Sequence, residues 1–362
     1  MINSRWPLFV PAWILTLTLA LTAGCRNQTP VVTARFTAFD TLIDVSIVGV
    51  AKDDADRAVR LLEEDFTFMD RAWHAWDPGP LGRVNQLLPT GKPFVAPPSI
   101  MPLVKISQEL YEHSGGLFNP AIGHLNALWG FRGEGSSARQ PPDPREISEL
   151  VATNPGMDDV HVDGIRMRCD NPAVNLDFSG ITKGRGIDLA VGHLRDLGVR
   201  HAMVSAGGVA RVIGERSGQP WRVIVRRPSG SGVLAVLQLR GDESIATVAD
   251  YDRSFVFQGK TYHLPLDPRT GYPASGARSV SVVHSDAVTA EGAAAALFVG
   301  GSDGWFETAQ RLGVRYVLMV DAAGAMVMNP AMAKRAEFVD KGQVIRESAA
   351  LGAPSQGAAV GQ

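Results

Sequence analysis

Apolar positions recur at helical spacing in several stretches of the chain. After Asp53 and Asp54, the residues Ala55, Val59, Leu62, Phe66 and Met69 follow a 4-3-4-3 spacing. That spacing places them on one face of a helix. Leu103, Ile106 and Leu110 repeat the pattern up to Gly115-Gly116, a left-handed stop. Ile187, Val191 and Leu194 do so again after Lys183, ending near Gly198, and the alanine-rich run Thr289–Val299 reads as a fourth helix before Gly300-Gly301. Short β-rich segments lie between and after these, at His201–Ser205, Trp221–Arg226, Val233–Leu239, Ser254–Phe257 and Ser279–His284. Phe257-Gln258-Gly259-Lys260 reads as a hairpin turn, and Tyr316–Val320 is expected to pair with Met326–Met328 around Ala323-Gly324. There is no internal repeat. Helices and strands mix without strict alternation, so the expected class is α+β, with mixed sheets and packed helices.

The amino-terminal pattern differs from all of these. Arg5 precedes an almost uninterrupted apolar run over Leu8–Leu21, which ends in Leu21-Thr22-Ala23-Gly24-Cys25. The run is shorter than the roughly 20 apolar residues that span a bilayer and has the build of a secretory signal. Its end resembles the lipobox of bacterial lipoproteins, which implies that Cys25 becomes an acylated amino terminus. The plainer alternative is an ordinary signal cleavage with Cys25 incidental. Multiple acyl chains hold a protein on a membrane far better than one.

Composition narrows the picture further. Thirty-five basic and 37 acidic residues leave a formal charge of −2, which gives no reason to expect nucleic acid as a partner. The chain of 362 residues holds two cysteines. With Cys25 lipidated, only Cys169 remains, so no internal disulfide is possible, and Cys169 is expected to pack as a small buried hydrophobe. The length corresponds to two ordinary domains or one large one.

Four glycine- or turn-rich segments are candidates for chemistry. Asn175–Gly186 (NLDFSGITKGRG) reads as a strand running through a loop into a helix, with Lys183 and a cluster of main-chain amides where a phosphate can sit. It lacks the residue order of a Walker A loop. Ser205-Ala206-Gly207-Gly208 follows a buried strand, and glycines there permit close backbone approach. Leu266–Pro273 (LDPRTGYP) forms consecutive tight turns that fix Asp267 and Arg269. Ser114–Pro120 (SGGLFNP), followed by Leu128-Trp129-Gly130-Phe131, offers aromatic rings to a flat ligand, although aromatics serve equally as core.

Taken in order, these segments and the Arg83-Val84-Asn85 triplet resemble the ApbE family of FAD:protein FMN transferases, over nearly the whole stretch from Phe36 to Val339. The resemblance implies one flavin-transferase domain over residues 34–345, after a signal peptide (1–24) and a tether (25–33) and before a disordered tail (346–362). It implies cleavage of FAD, attachment of FMN through a phosphoester to a threonine or serine of a partner protein, and release of AMP, with Mg2+ as cofactor. Asp177, Lys183 and Asp267 are the catalytic residues so implied. Phe39, Trp76, Leu117, Phe118, Asn119 and Pro265 join Asp177 and Lys183 around FAD, and Gly180 (through its main-chain oxygen), Glu291 and Ala295 fall on the metal positions. The implied partner is an exported or membrane-bound redox protein that accepts FMN. The implied place is the periplasmic side of the inner membrane, held by lipid, with the outer membrane open because Arg26 follows the cysteine.

Several positions depart from the family pattern. The usual metal aspartate is Glu291 and the nearby threonine is Ala295, which has no side-chain oxygen. Asp286 is then either a substitute ligand or a helix N-cap. The histidine that often precedes the Asp-Pro turn is Leu264, and its neighbour His263 points to the opposite face if the segment is extended. An expected carboxylate is Val209, and a stacking tyrosine is Trp76. An alternative expectation is therefore a weak or silent flavin-binding lipoprotein, or a pyrophosphatase that yields FMN and AMP.

Overall fold

The computed structural model describes residues 30–131, 140–228, 231–340 and 344–352. The stretch expected to be a signal segment, and Cys25, lie outside them. Among the described residues no helix is long and apolar enough to cross a membrane.

A nine-stranded sheet organises the chain. Its strands are β1 (Val31–Ala38), β2 (Thr41–Val48), β3 (Ala202–Ala206), β4 (Val209–Gly214), β5 (Gly241–Ala249), β6 (Ala277–His284), β7 (Tyr316–Asp321), β8 (Met326–Met328) and β9 (Ile345–Glu347). They lie side by side in that order. Every pair is antiparallel except β8 with β9. The expected hairpin of Tyr316–Val320 with Met326–Met328 is present, and Trp221–Arg226 pairs with Val233–Leu239 in a separate small sheet. Several strands carried no clear sequence signal. β5 is buried on both faces over Ile245 and Ala246, so it has no polar-out alternation to read. The β1–β2 ribbon alternates only in part: the inward positions of β1 are mostly half-buried, and in β2 the outward Asp44 and Ser46 are half-buried as well.

The helices cover one face of this sheet. They are α1 (Lys52–Trp73), α2 (Met101–Ser114), α3 (Thr182–Asp196) and α4 (Ala287–Gly300). Ala55, Leu62, Phe66 and Met69 form the buried face of α1, as the spacing predicts, and α2 stops at Gly115 with φ +66°. α4 is apolar on all sides and buried on all sides, the usual fate of such a helix. The opposite sheet face packs on the small sheet through Trp221, Leu237, Val283 and Met328.

The edges of the domain lie slightly outside their expected positions. Val31, Val32 and Thr33 of the expected tether belong to β1, and Arg346 and Glu347 of the expected tail pair in β9. Leu351 is buried. Cys169 is buried at 2% exposure, as expected of a small hydrophobe.

Candidate active site

A cavity of about 310 Å3 opens where the amino-terminal end of α3 and the side of α4 that carries Glu291, Ala295 and Val299 meet the β1–β2 and β3–β4 turns. Its floor is built by the Asn175–Gly186 segment. Asn85 accepts a hydrogen bond from the Leu176 amide (2.8 Å) and donates to the Leu176 carbonyl (2.9 Å), clamping the chain just before Asp177. The Asp177 carboxylate accepts from Asn126 Nδ2 (2.9 Å) and from the Ser179 amide (3.0 Å). Asp177 therefore enters the cavity with its orientation fixed, and the Arg83-Val84-Asn85 triplet acts at one remove.

Lys183 stands in the first turn of α3 and meets Glu291 of α4. Its Nζ lies 2.5 Å from Glu291 Oε1, while the Gly184 amide donates to Glu291 Oε2 at 2.7 Å. Glu291 is only 3% exposed, and both of its oxygens have partners. The two helices approach closely enough for this contact because residue 184 is glycine: a Cβ there would lie 2.5 Å from the Ala287 carbonyl oxygen. Asp188, one turn further along α3, accepts from the Ala287 and Val288 amides (2.9 and 3.0 Å). It thereby caps α4 and also holds Arg211 at 2.5 Å. Asp286 occupies the N-cap position of α4 without a side-chain cap bond. Its carboxylate turns to His284, whose hydrogen bond holds it below the usual carboxylate range. Capping falls to Asp188, and Asp286 does not face the cavity.

The glycine pair after β3 faces Lys183. Gly207 has φ +57°, and a Cβ there would approach Lys183 Cδ at 3.9 Å, while one on Gly208 would strike the Thr247 carbonyl at 2.4 Å. Gly207 thus sets bare backbone beside the lysine stem, and Gly208 lets the chain pack closely on Thr247 of β5. Phe39 lines the same cavity from the β1–β2 turn, where Phe39 and Asp40 both hold left-handed φ (53° and 54°). A bulky residue rarely takes that conformation. Stacking on Trp73 at 5.9 Å and edge contact with Phe66 secure it here.

Leu117, Phe118, Asn119, Gly180, Pro265, Glu291 and Ala295 all line the cavity beside Asp177 and Lys183. The Asn119 side chain is spent locally, on Pro155 and the Ala121 amide. Ala295 presents a methyl group, so it adds nothing to a cation site. Trp76 lines a smaller adjoining cavity of about 60 Å3, which shares Phe39, Asn126, Asp177 and Leu264 with the larger one.

Asp267 departs from its expected catalytic place. Leu266 and Pro268 line the cavity and Asp267 does not. Its carboxylate is taken by the Arg269 amide and guanidinium at 2.7–2.9 Å, so it organises the turn. Gly271 of that turn accepts the Trp129 indole N–H at 2.7 Å. Trp129 is accordingly core, stacked on Phe131 and tilted against Tyr262, rather than a platform for a ligand.

Leu264 lines the cavity, whereas His263 packs its ring edge-on against Phe298 at 5.7 Å and burial lowers its pKa. The opposite-face expectation for this pair holds. Thr247, Asp252 and Arg253 also line the cavity and had no motif to announce them. The Asp250-Tyr251-Asp252-Arg253 cluster between two β-rich segments was the available signal, since charge gathered in a tight turn marks a loop that can serve a site.

Comparison with known proteins agrees with this geometry. The ApbE family profile matches residues 39–318. An FAD:protein FMN transferase of Rhodobacter capsulatus is 36% identical over 94% of this chain, which spans 65% of that relative's length. One from Vibrio cholerae is 30% identical over 80% of this chain and 88% of its own. The crystal structure of the ApbE protein of Thermotoga maritima superposes with a TM-score of 0.77 at 26% identity, covering 84% of this chain and 99% of its own. With its glycine-lined cavity, its Asp177–Lys183 floor and its extended match to the family profile, the chain belongs to the ApbE family.

Proposed function

We propose that this protein is an FAD:protein FMN transferase. FAD binds in the cavity, a threonine or serine hydroxyl of a second protein attacks the phosphorus of the FMN half, and AMP leaves. The observation that carries this reading is the Lys183 ammonium, fixed by Glu291 in a cavity that the bare backbone of Gly207 and Gly208 also lines. Charge develops on phosphoryl and bridging oxygens in such a transfer, and a preorganised cation with nearby amides stabilises it there. Asp177 is held for a polar group of the nucleotide. Phe39 and Trp76 supply flat surfaces for the flavin ring.

The donor set around Glu291 is compatible with Mg2+, which favours oxygen ligands and keeps several waters. Glu291 would hold it together with the Gly180 main-chain oxygen, and the bound ion would add positive charge beside the diphosphate. Among the described residues no three carboxylate, histidine or cysteine side chains gather into a metal cluster. Most ligands would therefore be waters and phosphate oxygens. Lys183 occupies one side of the Glu291 carboxylate and would share it.

The same reading gives Cys25 a purpose. A lipid anchor on the periplasmic face would keep the enzyme beside exported, membrane-bound redox proteins that receive FMN after export. Replacing Cys25 by serine and fractionating the cells tests this: loss from the membrane fraction is expected, and unchanged membrane retention would remove the anchor.

The activity itself is tested by incubating the purified protein with FAD, Mg2+ and the flavin-carrying domain of an exported redox subunit. Flavin fluorescence that stays with the acceptor on a denaturing gel is expected. AMP release without labelling would mark a pyrophosphatase, and FAD bound but intact would mark a silent binder.

A further inference from the structure

Four carboxylates face the cavity, and three of them are occupied. Asp177 is hydrogen-bonded twice, Glu291 holds Lys183 and Gly184, and Asp40 lies 3.8 Å from Arg253 in an ion pair. Asp252 is the fourth. Among the described residues its side chain has no hydrogen bond, and no ion pair within 4 Å is formed. It sits at the cavity mouth on the turn that follows β5. Its side chain reaches solvent, yet the surrounding protein desolvates it enough to raise its pKa above the ordinary aspartate value, against the opposing pull of Lys183 and Arg226. The Leu264 amide donates to the Arg253 carbonyl at 3.2 Å, so this turn is tied directly against the Leu264 position.

We propose that Asp252 is the general base of the transfer, taking the proton of the acceptor hydroxyl. This rests on the transferase reading. Leu264 has no proton acceptor, and His263 is turned away against Phe298. A carboxylate beside Leu264, at the open end where a second protein must enter, fills that chemical gap. As the hydroxyl oxygen bonds to the FMN phosphorus, its proton passes to an Asp252 carboxylate oxygen. The bridging P–O bond breaks, its electron pair leaves with AMP, and Asp252 returns the proton to water. Neither reductant nor oxidant is needed.

The charged groups around Asp252 set the pH dependence. Lys183 faces it from α3, Arg226 from the Trp221–Arg226 strand, and Asp250 and Arg253 from its own turn. Arg226 lies over the Tyr251 ring, and Asp250 is bonded to Arg278 at 3.0 Å. The base form of Asp252 is present above its raised pKa and is lost as pH falls through it. The acid limb of the transfer rate is thus expected above the ordinary aspartate value of about 3.9.

The test is D252N, measured for FAD affinity and for single-turnover FMN transfer to the redox-subunit domain across pH. General-base catalysis contributes about 10²–10⁴-fold. D252N should therefore transfer on the order of 100-fold more slowly or worse, lose the acid limb, and bind FAD within threefold of the unchanged protein. D252E should recover part of the rate together with the limb. A D252N rate within threefold of the parent, with the limb intact, would overturn the proposal while leaving the transferase reading standing. A parent protein that binds FAD and labels no acceptor would remove both.

Discussion

The floor and the mouth of the cavity are built by different rules. On the floor, Asp177, Lys183 and Glu291 sit on or beside helix ends, and each is locked by side-chain or main-chain partners. At the mouth, Leu264, Asp252 and Arg253 sit on turns, with the Asp252 side chain unpaired and Arg253 at a left-handed φ of 31°. Departures from the common family pattern fall in both halves: Leu264 lies at the mouth, whereas Val209, Glu291 and Ala295 lie on the Lys183 side, where Glu291 keeps a carboxylate. On the transferase reading, the locked floor would hold the diphosphate and the mouth would meet the second protein.

Variants that separate the two halves make this comparison testable. Asp188→Ala should have the largest effect, because it strips Arg211 of a partner and removes the cap of α4 together. Breaking a buried ion pair costs about 3–5 kcal/mol. Thermal or denaturant unfolding checks this, and a loss under about 1 kcal/mol, the range of an exposed pair, would mean the floor does not depend on this support. Lys183→Ala should come next, slowing transfer by about 10²–10³-fold through lost charge stabilisation. It should also weaken FAD binding, which distinguishes a floor residue from a mouth residue. If titration calorimetry gives unchanged FAD affinity for Lys183→Ala, the division between floor and mouth fails.

Trp76→Ala should have the smallest effect. A stacked ring pair contributes about 0.5–1.5 kcal/mol, so FAD affinity should fall by about 2–13-fold, with little change in the bound-state transfer rate. Trp76→Phe should recover most of the affinity. Full loss of binding in Trp76→Ala would mean that the small cavity, rather than the Lys183 floor, dominates recognition.

Much of this arrangement was legible in the chain because local physics wrote it there. The helical spacing of Ala55 to Met69, the turn at Gln258-Gly259, and the loop that opens α3 at Lys183 each follow from a handful of neighbouring residues, although the strand expected before that loop is only an isolated bridge at Asn175. What lies hidden depends on contacts far apart in sequence. The family resemblance puts Glu291 on a metal position, but only the close approach at Gly184 shows that it also fixes Lys183. Asp286 has the residue type of a cap, and Asp188 does the capping from another helix. Asp267 has the chemistry of a catalyst, yet its own turn consumes both oxygens through Arg269. Asp252 belongs to no glycine-rich motif, and its place at the mouth emerges only once the turn after β5 is tied to Leu264.

The central claim is that FMN leaves FAD for a second protein within this cavity. The most direct measurement is the intact mass of the redox-subunit domain after incubation with the protein, FAD and Mg2+, with AMP quantified in the same sample. One FMN gained per acceptor, matched by one AMP and absent when the acceptor threonine is replaced by valine, is the predicted result. AMP formed without any gain in acceptor mass, or FAD recovered intact, would contradict the account.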